Sequence, residues 1–124
     1  MCVQLSYEGD GVYNGMSPLY TEMSNGGYRI VVYNGDTDPS CNYLGDELCV
    51  QQLGYDVKDE WRQWKYDDDS VESQGSQVGG WTVEYETAGE LRFITIKGAG
   101  HMAPQWRPAA TTTMFKRFIE DESF

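Results

Sequence analysis

The run Tyr28-Arg29-Ile30-Val31-Val32-Tyr33 constrains this chain more than any other feature. Its β-branched and aromatic residues are nearly continuous, the pattern of a strand buried on both faces of a parallel sheet. Asn34-Gly35-Asp36-Thr37-Asp38-Pro39 stops it abruptly, and Pro39 has no N–H for a ladder. Asn42 to Gly54 then reads as a helix. Leu44, Leu48 and Gln52 share one side of it, Asp46 and Glu47 lie near its positive end, and Gly54 suits a C-cap.

A second strand–helix pair follows. Leu91-Arg92-Phe93-Ile94-Thr95-Ile96 is apolar enough to enter the core sheet, and Lys97-Gly98-Ala99-Gly100-His101-Met102-Ala103-Pro104 is a glycine-rich loop. Pro108 opens a helix to about Glu120, with Met114, Phe115, Phe118 and Ile119 as its apolar stripe. Between the pairs, Trp61 to Lys65 reads as a short edge strand, Asp67 to Ser76 as an acidic surface loop and Gly79 to Glu86 as a strand. Ala88-Gly89-Glu90 supplies the turn into the second core strand. Upstream, Gly9-Asp10-Gly11 and Asn14-Gly15 are turn signals, and Pro18 to Met23 forms a short helix ended by Asn25-Gly26-Gly27. The expected class is α/β: two core parallel strands, each followed by a helix, with a small antiparallel insert between them. That is the tail of such a fold rather than a complete doubly wound sheet.

Composition narrows the function classes. The chain has 124 residues, with 20 acidic and 9 basic side chains and a formal charge of -11. Nucleic acid and anionic membrane surfaces are poor partners for it, because both are bound through basic patches. No run approaches the 18 or so apolar residues of a membrane span, and Met1 to Ser6 lacks the basic and apolar regions of a signal peptide. Three cysteines, Cys2, Cys41 and Cys49, leave at least one thiol free or paired outside the chain. A single histidine excludes zinc fingers.

Two loops carry candidate chemistry. Asp36 and Asp38 lie beyond the carboxyl end of the first core strand, where open α/β sheets place their sites. Read blandly, they are turn residues with Asx hydrogen bonds. Two carboxylates with no close histidine or third ligand argue against a metal site. His101, the only histidine, follows the second core strand after three small residues. An isolated histidine is more often ordinary than catalytic, but an Asp after one sheet strand and a His after the next is the acid-then-base order of an α/β-hydrolase triad. Adjacent parallel strands can bring the two loops together across 63 residues.

These stretches strongly resemble the serine carboxypeptidases. The matching segments are Tyr33 to Glu47, containing Asn34-Gly35-Asp36-Thr37-Asp38-Pro39-Ser40-Cys41-Asn42, and Thr95 to Pro104, containing Gly98-Ala99-Gly100-His101-Met102. The resemblance covers nearly the whole chain, 1–124, as the C-terminal part of an α/β-hydrolase domain. It implies Asp38 as triad acid, His101 as triad base and Asp36 as a loop organiser. It places Cys41 near the substrate pocket, against the alternative of a buried core cysteine. Met102 resembles a pocket-lining residue, against simple core packing. Cys2 matches a position that pairs with an upstream part of the enzyme; Cys49 has only a local reading, facing the core.

No G-x-S-x-G nucleophile elbow occurs, and neither Ser24 nor Ser40 substitutes for it. The expected activity is hydrolysis of the C-terminal peptide bond of peptides and proteins by a serine carboxypeptidase. This chain supplies Asp and His, and the upstream part of the same enzyme supplies Ser. No cofactor or metal is expected, the isolated chain is expected to be inactive, and the lysosome, vacuole or exterior is the expected location. The alternatives are an acyltransferase of the same lineage, or a non-catalytic truncated homologue acting as a binding protein.

Overall fold

The computed structural model describes residues 16–67 and 75–124. The turn signals from Gly9 to Gly15, the pairing of Cys2 and most of the acidic loop after Asp67 lie outside them. The elements run α1 (Ser17–Asn25), β1 (Arg29–Gly35), α2 (Tyr43–Gln51), β2 (Val57–Asp67), β3 (Ser76–Tyr85), β4 (Glu90–Ile96), α3 (Ala103–Trp106) and α4 (Pro108–Glu120).

The four strands form one mixed sheet in the order β1-β4-β3-β2. β1 and β4 are parallel, from Arg29 opposite Glu90 to Gly35 opposite Ile96, so their carboxyl ends are level. β2–β3 and β3–β4 are antiparallel. The insert is therefore a hairpin that extends the core sheet. β2 is longer than the expected edge segment at 61–65, with eleven residues and a wholly buried Trp64.

β4 explains why the sheet has two cores. Side chains alternate across a strand, and here both sets are covered. Leu91 and Phe93 pack with Ile30, Val50, Val83 and Tyr85 on one side. Ile94 and Ile96 pack with Trp64, Ala99, Ala103, Ala110 and Met114 on the other. Arg92 is also buried within the apolar run. Glu84 and Glu90 hold its guanidinium, the latter at 2.8 Å, and Glu90 also accepts from Arg29 Nε at 2.9 Å. Unpaired, such a charge would be strongly destabilising.

Three expectations are corrected. The run in β1 reads as doubly buried, but Val31, Val32 and Tyr33 are only half-buried, because β1 is the outer strand of the described sheet. The helix expected to Gly54 ends at Gln51. Its N-cap is Asn42, whose side chain accepts from Leu44 N, and Gly54 turns the chain two residues past the Gln52 C-cap, at φ +80°. Leu44 and Leu48 face outward at 56% and 40% exposure, and Val50 is the residue that α2 buries. α4 matches its expected span, yet it buries Ala110, Thr111 and Met114 while Ile119 is exposed. Phe115, on the rim, meets Tyr33 edge-on at 5.4 Å.

Candidate active site

The two loops leave adjacent parallel strands at the same end and are laced together. Asp36 N donates to Ile96 O at 3.1 Å, and Asp36 Oδ1 accepts from Gly98 N at 2.6 Å. Thr37 donates to Ala99 O through both its amide, 3.0 Å, and its hydroxyl, 2.7 Å. Close approach demands glycine at 35: a Cβ there would lie 2.3 Å from Ala99 O and 2.5 Å from Gly100 O. Gly98 turns at φ +68°, a region that favours glycine. Asp36 thus organises the loop. Asn34 anchors the other flank, its Nδ2 donating to Asp46 Oδ2 at 2.7 Å and to Cys41 O at 3.2 Å.

This scaffold brings Asp38 and His101 together. His101 Nδ1 lies 3.0 Å from Asp38 Oδ2. The Asp38 side chain is only 4% exposed, while that of His101 is 67% exposed. Asp38 Oδ1 accepts from Ser40 N at 2.8 Å and from Cys41 N at 3.1 Å. The Ser40 amide holds the Asp38 carboxyl below its ordinary value; burial opposes this, and the Cys41 amide and His101 reinforce it. An ionised carboxylate only accepts, so the proton in the contact belongs to Nδ1. In the neutral ring Nε2 then carries the lone pair, the state a general base requires.

Cys41 and Met102 flank this pair and are not core residues. Cys41 is an exposed, free thiol, and its Sγ lies within 4.8 Å of ligand atoms of Asp38 and His101. Met102 is 55% exposed. The core readings for both therefore fail. Cys49 is half-buried on α2 and is not a free thiol. Ser24 is buried in α1, and Ser40 reaches Asp38 through its backbone. A separate groove of about 370 Å³, lined by Asp36, Tyr43, Leu44, Glu47, Trp61, Trp81 and Thr95, includes neither Asp38 nor His101.

Sequence reasoning missed Thr37 and Arg107. Arg107 Nε donates to Gly98 O at 3.2 Å, bracing the histidine loop from the start of α4, and the Trp106 indole lies beside Gly100. Thr37 sits inside the matched motif, so its position was the available signal. Arg107 had none.

Parallel strands with helices on both sides and a candidate Asp–His pair at their carboxyl ends define an α/β-hydrolase architecture. The family profile for serine carboxypeptidase matches residues 1–121, and the chain belongs to that family. It is 39% identical over 114 residues to the "Lysosomal protective protein" of Mus musculus, covering 91% of this chain and 23% of that one. It is 37% identical over 107 residues to "Serine carboxypeptidase-like 33" of Arabidopsis thaliana, covering 86% and 20%. The chain therefore spans about a fifth of the length of these relatives. The crystal structure of Kex1(delta)p, a prohormone-processing carboxypeptidase from Saccharomyces cerevisiae, superposes with a TM-score of 0.64 at 20% identity, over 85% of this chain and 22% of that one. Among the described residues no helix is long and apolar enough to cross a membrane.

Proposed function

We propose that this chain supplies the acid and base of a serine carboxypeptidase centre whose nucleophilic serine lies elsewhere in the complete protein. The supporting observation is the 3.0 Å contact between a buried, amide-anchored Asp38 and an exposed His101. In this reading the serine attacks the last peptide bond of a peptide. His101 Nε2 takes the serine proton and then gives it to the departing amino acid, while Asp38 orients the ring and stabilises the imidazolium. Water repeats the sequence and releases the shortened peptide. Cys41 and Met102 border the substrate. In the same reading the enzyme works in the lysosome, the vacuole or outside the cell.

The test measures release of the C-terminal amino acid from a blocked dipeptide by the complete protein. PMSF and His101→Ala are each expected to abolish it. The 124-residue chain alone is expected to show no PMSF-sensitive cleavage. Transfer of the acyl group to an alcohol in place of hydrolysis would reassign the protein to the acyltransferases. Cleavage that survives His101→Ala would overturn the proposal.

A further inference from the structure

The cluster of Asp38, Cys41 and His101 has a second chemistry. Each residue offers one ligand atom, and the three atoms lie within 4.8 Å of one another. The donors are a thiol sulfur, an imidazole nitrogen and a carboxylate oxygen. This is the mixed set that suits zinc(II), not the all-oxygen set of calcium or magnesium. Along the sequence two carboxylates, Asp36 and Asp38, lie near Cys41 with no histidine close by. In the fold only Asp38 belongs to the cluster, and His101 arrives from 63 residues away.

We infer that zinc(II) binds between Asp38 Oδ2, Cys41 Sγ and His101 Nδ1, and reversibly switches off the site. The inference rests on the reading of His101 as general base. Zinc bonds of about 2.0–2.3 Å place neighbouring ligand atoms about 3.3–3.6 Å apart. Oδ2 and Nδ1, at 3.0 Å, are already close to that spacing. The sulfur, within 4.8 Å of a ligand atom of each, needs to approach by at most roughly 1.5 Å, and Cys41 is exposed, with room to turn about χ1. The surrounding shell is in place: the Ser40 and Cys41 amides fix Oδ1 and so aim Oδ2, while Asn34 holds the Cys41 carbonyl. Both His101 and Cys41 are exposed in this chain, and water completes the coordination.

Inhibition follows from proton placement. Binding releases the Cys41 thiol proton to solvent. The metal takes the Nδ1 lone pair, so the neutral ring carries its proton on Nε2. Nε2 can then no longer accept a proton from serine.

The test uses the longest form of the protein that its coding sequence specifies, at neutral pH. Cobalt(II) is titrated as the spectroscopic probe and zinc(II) as its competitor. One cobalt per chain should give a thiolate charge-transfer band that zinc abolishes. In Cys41→Ser the band should vanish, and zinc affinity should fall at least about tenfold. Peptidase activity is then compared with and without zinc within each variant. Wild type should lose activity and regain it with chelator, and Cys41→Ser should lose zinc sensitivity whatever its own basal rate. Absence of the band, or its persistence in Cys41→Ser, overturns the inference even in an active peptidase. A band in a protein without peptidase activity would leave the metal site standing and refute the catalytic reading instead.

Discussion

Gly35→Ala tests whether the contact between the two loops, rather than the identity of the acid and base alone, makes the site. A Cβ at 35 would meet Ala99 O at 2.3 Å, Gly100 O at 2.5 Å and Ala99 C at 2.6 Å. All three are backbone atoms, so no side chain can swing away. The nearest contact is roughly 1 Å inside ordinary van der Waals separation. Relief requires the 98–101 segment to move off β1 by about that amount, carrying His101 with it. Overpacking of this kind costs about 1–3 kcal/mol. A misplacement of about 1 Å at reacting groups costs about 10²-fold in rate. The expected result for the complete enzyme is a fall in kcat/KM of about 10²-fold, in a protein that still unfolds cooperatively. Denaturant unfolding and blocked-dipeptide kinetics on the same preparation separate the two effects. A folded variant within about threefold of wild-type kcat/KM would refute the claim that this close approach positions the histidine.

Asp38→Asn keeps the shape but offers an amide in place of the acceptor, so His101 loses the tautomer that leaves Nε2 free. kcat should fall about 10⁴-fold with KM little changed, and a fall below tenfold would contradict the assigned role. Glu90 gives a pH signature. Burial pushes its carboxyl up, but the hydrogen bonds and charges of Arg92 and Arg29 outweigh burial and hold it below its ordinary 4.5. A folded value below the unfolded one means that its stabilisation is present above pH 4.5 and is lost as pH falls through the folded value. The stability gap between wild type and Glu90→Gln, measured by urea unfolding, should therefore be flat near neutrality and shrink below pH 4.5; a gap that widens on acidification would contradict the sign. Trp64→Ala removes a wholly buried indole and its hydrogen bond to Thr95 O, and should cost about 3–5 kcal/mol in denaturant unfolding.

The strand–helix order was legible because it rests on local patterns. The β-branched run of β1, the apolar run of β4 and Pro108 at the first turn of α4 each act within a few residues. What a helix buries is not local. α2 and α4 each carry apolar residues wider than one stripe, and the choice between Leu44 and Val50, or between Ile119 and Ala110, is made by what lies opposite. Val50 meets the β4 side of the sheet beside Leu91 and Phe93, whereas Leu44 and Leu48 look away from it. Arg92 shows the same limit. Nothing within β4 announces that Glu84 on the neighbouring strand makes its burial tolerable.

The candidate site divides along the same line. The meeting of the Asp38 and His101 loops was legible because strand ends in a parallel sheet predict where loops converge. The three-donor cluster was not found, since Cys41 enters it only through a turn that two backbone amides fold around Asp38. That turn has one further consequence for the acid. The amides of Ser40 and Cys41 occupy Oδ1, leaving Oδ2 to face His101. A carboxylate free to rotate would share its proton acceptor between two oxygens and fix the ring loosely. Held by two N–H groups, it presents one oxygen in one direction, and the glycines and Thr37 that join the loops hold the imidazole against that oxygen.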